Sequence, residues 1–187
     1  MDKRKAILDA TAKLINEHGL QNTPMSMIAK AADVGAGTIY RHFANKDELV
    51  VAVYTSLLAD LDRVLSDLID MESLYTGPVK VRFFLYWRKF FEYHQAHPEQ
   101  TNLLVFLGMS PYIKELIKDI PNQSTEVFYK ILMDGQAELL IKSNVEIEVL
   151  IKYILGGMTN IARQNEGRLS DEMVERIIQM AWDGIKA

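Results

Sequence analysis

The sequence predicts an all-α protein, in which a small N-terminal three-helix head precedes a larger helical bundle. Apolar residues recur at three- and four-residue spacing along the chain, and no run of four or more residues alternates as a half-buried strand would. Two short helical segments joined by a tight turn lie near the N-terminus, a pattern typical of the helix-turn-helix unit. With 187 residues, the chain can hold two units of unequal size.

The head is predicted to contain three helices. The first ends at Gly19, a residue type that commonly terminates helices. Thr23 and Pro24 predict the start of the second, because threonine caps a helix and proline fits its first position. That helix breaks at 33–35, and a short third helix is predicted over 36–43.

A long fourth helix is predicted to connect the head to the body. Asn45 and Glu48 form the pattern of a capping box at its start, and its apolar periodicity continues to about Met71. At about 1.5 Å per residue it would span roughly 39 Å. Further helices are predicted from about Pro78 to His94 and at 99–108, 111–119, 123–143, 146–166 and 171–186.

Composition narrows the class of protein. The chain has no cysteine, which removes disulfides and thiolate metal sites and fits a reducing compartment. Its longest compact apolar stretch, 103–109, is far shorter than the roughly 20 residues that a membrane span needs. We therefore expect a cytoplasmic protein without a membrane segment.

The charge is unevenly distributed along the chain. The net charge is −4, but residues 1–48 carry seven basic and six acidic side chains, a net +1, so the remainder carries −5. Contact with nucleic acid is therefore expected at the N-terminal end, on a local footprint rather than a broad basic face.

Residues 24–43 predict the helix-turn-helix motif itself. Ala29 supplies a small residue where the two helices cross, and Ile28, Val34, Ile39 and Phe43 are spaced to form an apolar underside. The opposite face of the third helix carries hydroxyl, aromatic and cationic side chains, which suit contacts with phosphates and base edges. These side chains are Thr38, Tyr40, Arg41 and His42.

The motif resembles the DNA-binding head of the TetR family of transcriptional regulators. The matching pattern runs in order from Ile28-Ala29 through Val34, Gly37-Thr38, Tyr40, His42-Phe43 and Lys46 before an acidic pair. The resemblance implies a helix-turn-helix DNA-binding domain at 1–48 and a ligand-binding and dimerisation domain at 49–187. It also implies DNA contacts from eight residues: Thr23, Ser26, Gly37, Thr38, Tyr40, Arg41, His42 and Lys46.

Four positions depart from the family pattern. Asp33 replaces a common glycine in the turn, where aspartate tolerates a left-handed backbone better than most residues. Serine and lysine are common where this chain has Gly35 and Ala36, and arginine is common in place of Ser26. The departures at Ser26, Gly35 and Ala36 reduce three side chains that are expected to contact DNA.

Aromatic residues crowd the helix after Pro78, which indicates burial on all sides. Simple core packing explains this pattern as well as a cavity does. Together with the family resemblance, it implies an effector pocket with an apolar or aromatic lining. The expected pocket residues are Phe83, Trp87, Phe90, Phe91, Phe106, Met109, Tyr112, Phe128 and Met133.

The last two helices carry apolar stripes that either complete the core of one chain or form a homodimer. The resemblance implies a four-helix dimer bundle, whose two-fold symmetry matches a palindromic operator. The expected interface residues are Leu150, Ile154, Gly157, Met158, Ile161, Ile177, Ile178 and Ala181.

The resemblance implies a repressor that a small, largely apolar or aromatic effector releases from operator DNA. An enzyme is the second class, but no phosphate-binding loop or nucleophile elbow is present, and no carboxylates around His94 and His97 resemble a metal site. We therefore expect no catalysis, cofactor or metal. A helical small-molecule-binding or adaptor protein with weakened DNA binding is the alternative, because Ser26, Gly35 and Ala36 reduce the polar contacts.

Overall fold

The computed structural model describes residues 2–68, 76–120, 123–165 and 169–187, and these residues form ten helices and no strand. The prediction of an all-α fold is confirmed. The helices are α1 (Lys3–His18), α2 (Met25–Ala31), α3 (Ala36–His42), α4 (Lys46–Leu68), α5 (Val79–Ala96), α6 (Pro98–Met109), α7 (Pro111–Ile117), α8 (Gln123–Ala137), α9 (Ile147–Gln164) and α10 (Asp171–Ile185).

Side-chain caps fix where several helices begin. At α4, the side chain of Asn45 accepts a 2.9 Å hydrogen bond from the backbone N–H of Glu48, and the Glu48 carboxylate accepts a 2.7 Å bond from the N–H of Ala44. This arrangement satisfies two backbone donors, as the predicted capping box would. Ser170 caps α10 as expected, because its hydroxyl oxygen accepts from the N–H of Met173.

The chain divides into two compact units. Unit 1 comprises the described residues of 1–59 and 99–120, so it includes α1, α2, α3, the first part of α4, most of α6, and α7. Leu103, Leu107 and Ile113 are each at most 1% exposed and belong to the same apolar core as the helix-turn-helix residues. The predicted functional boundary at residue 48 stays a prediction, and the packing follows a different division because α6 and α7 complete the core of the head.

Unit 2 comprises the described residues of 60–98 and 121–187. In it α5 packs against α8, α9 and α10, and its aromatic side chains supply the centre of the core. Fully buried rings include Phe83, Trp87, Phe91 and Phe128. The backbone of Lys142 donates to Ile185 at 2.9 Å, which holds the segment after α8 against the end of α10.

Two predicted helix ends differ from the structure. α8 ends at Ala137 rather than near 143, because Leu139 adopts a left-handed backbone with φ 57° and stops helix propagation. The end of α4 predicted near Met71 lies outside the described residues, where α4 is followed to Leu68. No helix among the described residues is both long and apolar enough to cross a membrane.

Candidate functional site

The helix-turn-helix geometry follows from a small apolar core between α2 and α3. Ile28, Ile39 and Phe43 are at most 2% exposed, and Ala29 is 5% exposed, so the predicted underside is buried. Asp33 in the connecting turn has a left-handed backbone with φ 52°, which aspartate tolerates better than most residues. These contacts fix the orientation of α3 within unit 1.

The outer surface of α3 is open to solvent. Tyr40 is 55% exposed, Arg41 and Gly37 are exposed, and Thr38 is half-buried. Ser26 on α2 is also exposed. An external partner could therefore contact these five residues, and their DNA contacts stay a prediction.

Thr23 does not belong to this surface. Its side chain is fully buried, and its hydroxyl donates to the carbonyl of Gly19 at 2.9 Å, with the carbonyl of Leu14 at 3.3 Å. The predicted DNA contact from Thr23 is therefore wrong for its side chain, which instead fastens the chain to the end of α1. Thr23 does not cap α2 either. The residue at the cap position of α2 is Pro24, and no side chain accepts a hydrogen bond from the first turn of this helix.

Two of the predicted phosphate contacts, Lys46 and His42, are half-buried within unit 1. The ammonium group of Lys46 donates to the carbonyl of Leu20, so this half-buried side chain ties the start of α4 to the end of the first helix region. His42 is half-buried and its Nε2 atom is buried without a hydrogen-bond partner among the described residues. Their predicted phosphate contacts require these side chains to turn outward.

A hydrogen bond also links α7 to the start of α4 in unit 1. The hydroxyl of Tyr112 bonds to the carboxylate of Asp47, and this bond is the main reason that the pKa of Tyr112 lies above its ordinary value. No local sequence pattern predicts this pairing, because the two residues are far apart along the chain. It places Tyr112 beside the head rather than in an effector pocket.

The structure separates the nine predicted pocket residues. The rings of Phe83, Trp87, Phe90, Phe91 and Phe128 are buried and pack in edge or tilted contacts at 5.2–6.4 Å between centroids. In contrast Met133 is 49% exposed on α8, and three residues that belong to unit 1 are also exposed: Phe106 at 51%, Met109 at 70% and Tyr112 at 53%. The prediction that all nine residues line one enclosed pocket is therefore wrong, because four of them are exposed at the surface.

A surface pocket does open in unit 2, between α5 and α10. It has a volume of about 350 Å³, within the size range of small-molecule sites. Phe91 and Val174 form its apolar wall. The remaining lining is polar: Arg88, Glu92, Gln95, Asp171 and Glu175.

Two buried polar groups lie on α5 near the aromatic core. The indole N–H of Trp87 has no hydrogen-bond partner among the described residues, and the imidazole of His94 has the backbone of Ala162 nearby but forms no well-aligned hydrogen bond. Both side chains are at most 2% exposed. Buried polar atoms without well-aligned hydrogen bonds are uncommon in folded proteins, so these atoms mark a part of the core with unused bonding capacity.

Most of the predicted dimer residues are buried in the core of their own chain. Leu150, Ile154, Met158, Ile177 and Ile178 are buried within one chain at 8% exposure or less, because they form the core between α9, α10 and the rest of unit 2. Ile161 and Ala181 are half-buried, and only Gly157 is exposed. These buried positions cannot form an interface with another chain.

The opposite face of these two helices is apolar and exposed. On α9 it carries Val149 at 49%, Tyr153 at 62%, and the exposed Gly156 and Gly157. On α10 it carries Met173 at 44% and Met180 at 71%. One feature of the sequence does point to this face. The glycine pair lies one turn after Tyr153, on the side of α9 opposite the aliphatic stripe, where small residues permit close approach of another helix.

Comparison with known proteins identifies the class. Residues 7–53 match the family model of bacterial regulatory proteins, tetR family. An HTH-type transcriptional regulator of Haemophilus influenzae is 26% identical over 190 residues, covering 99% of this chain and 96% of that protein. The regulator YhgD of Bacillus subtilis is 43% identical over 61 residues, which cover 33% of this chain and 32% of YhgD.

Several solved structures share the fold of this chain over nearly its whole length. A TetR-family transcriptional regulator of Haemophilus influenzae has a TM-score of 0.79 at 26% identity, covering 100% of this chain and 97% of that one. A putative tetR family regulator of Shewanella sp. PV-4 has a TM-score of 0.88 at 18% identity with complete coverage of both, which shows the fold. FadR of Bacillus subtilis, in complex with stearoyl-CoA, has a TM-score of 0.71 at 19% identity, covering 96% of this chain and 95% of that one.

These similarities support a helix-turn-helix DNA-binding transcriptional regulator, the class to which the matched proteins are assigned. Residues 7–53 match the DNA-binding head of the TetR family, and the chain is similar over its whole length to regulators of that family.

Proposed function

We propose that the chain is a repressor that binds a palindromic operator as a homodimer and is released by a small, largely apolar or aromatic effector. The observation that carries the DNA-binding part is the outer face of α3. Tyr40 and Arg41 project from it, while Gly37 leaves open space beside them, with no atom of the chain within 4 Å of an added Cβ. A glycine in a helix costs about 1 kcal/mol relative to alanine, so it is best explained by close approach of a duplex.

The DNA contacts divide into two kinds. Tyr40, Thr38 and Ser26 offer hydroxyl groups to base edges or phosphates, and Arg41 offers a guanidinium. His42 and Lys46 add positive or hydrogen-bonding groups if they turn toward phosphate on binding. Thr23 is left out because its hydroxyl is buried.

Gel shifts with DNA from upstream of the chain's own gene test this proposal. Specific binding should weaken steeply between 50 and about 200 mM salt, as expected when phosphate contacts release counterions. Tyr40→Ala should lower specific affinity about tenfold, whereas Arg41→Ala should weaken binding to all sequences and lower the salt slope by about one.

Arg63→Ala is the matched control, because this exposed arginine pairs with Asp60 on the part of α4 that lies in unit 2, outside the head. It should leave DNA affinity unchanged. Equal affinities for the parent and all three variants would contradict the assignment. Absence of any specific complex would favour the alternative, a small-molecule-binding or adaptor protein, which the lack of long polar side chains at Ser26, Gly35 and Ala36 supports.

The proposed dimer uses the exposed face of α9 and α10. Tyr153, Met173 and Met180 supply apolar contacts. Gly156 and Gly157 leave open space, with no atom of the chain within 4 Å of an added Cβ, so a helix of a second chain can approach closely. Two-fold symmetry then places two heads on half-sites about one helical turn apart.

The proposed effector site lies in unit 2, beside Phe91 in the pocket between α5 and α10. Phe91 connects the pocket wall to the aromatic core, where Trp87 and His94 hold buried polar atoms without a well-aligned hydrogen bond. FadR of Bacillus subtilis with stearoyl-CoA offers one precedent for a ligand with a long acyl chain on this fold. An effector must bind the DNA-incompetent state more tightly to lower operator affinity.

Tryptophan fluorescence and gel shifts can locate the effector site. A panel of apolar and aromatic compounds, including stearoyl-CoA, is titrated into the purified protein with operator DNA. Arg88→Met changes a pocket side chain whose ion pair with Glu175 is exposed, so its stability cost is small. The Arg88→Met variant should change effector affinity, while Arg63→Ala, which changes an exposed side chain outside the pocket lining, should not. Identical effector affinities would contradict the site.

A further inference from the structure

The first turn of α3 exposes three consecutive residues without a polar side chain: Gly35, Ala36 and Gly37. Gly35 precedes the helix with an ordinary extended backbone, φ −67° and ψ 152°. Neither glycine has a neighbouring atom within 4 Å of an added Cβ. Nothing within the described chain therefore requires glycine here, either for backbone conformation or for packing.

The missing side chains lie at the part of the helix that reads sequence. In helix-turn-helix proteins, the N-terminal residues of the second helix contact base edges in the major groove. Two glycines that flank one alanine make this surface shallow, so a base edge can approach the backbone closely. Among these three residues, the side-chain group offered is the methyl group of Ala36.

Each base has a preferred type of partner in the major groove. Guanine is read by arginine or lysine, adenine by asparagine or glutamine, and cytosine by a carboxylate. Ala36 offers none of these groups, but an alanine methyl suits apolar contact with the C5-methyl group of thymine. Arg41 lies five residues further along, which is about 7.5 Å along the helix axis.

We propose that Ala36 is a specificity-determining residue that contacts the C5-methyl group of a thymine at one fixed position of each operator half-site. The inference rests on the proposed function, because it presumes that α3 enters the major groove. It commits the operator to a T·A pair at that position. Arg41 then contributes to affinity, and it does not select the base opposite Ala36.

Deoxyuridine provides a direct test, because it differs from thymidine only by this methyl group. The full chain is first used to select duplexes from a random-sequence library. Each conserved thymine of the selected duplex is then replaced in turn by deoxyuridine, symmetrically in both half-sites. One replacement should weaken binding about fourfold per half-site, the effect of removing one buried methyl group.

Ala36→Gly completes a thermodynamic cycle between protein and DNA. The variant should bind the thymine and deoxyuridine duplexes equally, because it has lost the methyl group that distinguishes them. Ala36→Gln is a second variant, which should shift the selected base toward adenine. Ala137→Gly is the matched control, since it changes an exposed alanine at the end of α8 and should keep the parent's discrimination.

The outcomes separate this inference from the proposed function. Failure to select any sequence would contradict operator binding itself. A selected operator whose affinity is unchanged by every deoxyuridine replacement would overturn only the role of Ala36. So would an Ala36→Gly variant that retains the parent's discrimination, or a conserved guanine whose 7-deaza analogue abolishes the selection at that position.

Discussion

The guanidinium of Arg82 donates a 2.7 Å hydrogen bond to the carboxylate of Asp134, which joins α5 to α8 within unit 2. Arg82 is 3% exposed, so its charge depends on a partner inside the core. Lys130, one turn earlier on α8, donates to the same carboxylate at 3.1 Å from the helix surface. Asp134 therefore neutralises a buried cation and accepts from an exposed one.

Removal of the carboxylate should be costly because it leaves the Arg82 charge buried. Asp134→Ala is expected to lower the free energy of unfolding by about 3 kcal/mol. Lys130→Met is the matched control, and its partly exposed ion pair should cost at most about 1 kcal/mol. Urea unfolding followed by circular dichroism measures both. Similar losses in the two variants would contradict the role assigned to burial.

The sequence predicted the head in detail because its signals are local. The apolar spacing of Ile28, Ile39 and Phe43, and the capping pattern of Asn45 and Glu48, each involve residues within a few turns. Such signals do not depend on how distant segments pack. The structure therefore confirmed the helices, the buried underside and the start of α4.

The errors concern relationships between distant segments. The packing of Leu103, Leu107 and Ile113 into the core of the head depends on tertiary contacts that no local pattern specifies. The stripes of α9 and α10 were recognised, but an apolar stripe does not state whether it faces its own chain or another. Thr23 shows the same limit, because a hydroxyl suited to phosphate also suits a buried carbonyl.

Leu139 has a backbone conformation that glycine adopts at lower cost. Its φ of 57° lies in the left-handed region, which costs a residue with a Cβ about 1 kcal/mol or more. The side chain is 73% exposed, so little packing is lost on truncation. Leu139→Gly should raise the free energy of unfolding by about 0.5 to 1 kcal/mol, which a higher thermal midpoint would show. Glu138→Gly, at the preceding exposed residue, should instead lower stability, and the same sign in both variants would refute this explanation.

Gly37 should show opposite effects on stability and on DNA binding. An added Cβ meets no atom of the chain within 4 Å, so Gly37→Ala should stabilise the chain by up to about 1 kcal/mol through helix propensity. The same methyl group would occupy the space proposed for the duplex, so operator affinity should fall. Thermal unfolding and gel shifts measure the two effects on one sample. A variant that is more stable and binds the operator as tightly as the parent would show that DNA does not approach Gly37.

Met180 tests the proposed dimer face. It is 71% exposed on α10, and Met180→Lys places a charge on that face without changing the buried core of unit 2. Sedimentation should show a shift from dimer to monomer, because burying an unpaired ammonium is unfavourable. Val81→Lys is the matched control, since Val81 is 57% exposed on α5, a helix that carries none of the residues assigned to the proposed face. Dissociation by Val81→Lys, or an intact dimer with Met180→Lys, would place the interface elsewhere.

His94 should make the stability of the protein sensitive to mild acid. Burial lowers the pKa of this imidazole below its ordinary 6.5, an effect that the nearby backbone of Ala162 only partly offsets. The folded chain therefore favours the neutral imidazole, while the unfolded chain takes up a proton near pH 6.5. As a result, the contribution of His94 is complete above that pH and is lost as the pH falls toward the lowered folded-state pKa.

This linkage gives a slope of at most about 1.4 kcal/mol per pH unit below pH 6.5. Replacement of the imidazole by an apolar side chain of similar size, as in His94→Leu, should flatten the pH dependence of the urea midpoint between pH 6.5 and 5. The exposed His18 serves as the control, and His18→Gln should keep the slope of the parent. Because carboxylates titrate mostly below this range, parallel slopes in all three proteins would mean that His94 is protonated equally in the folded and unfolded chains.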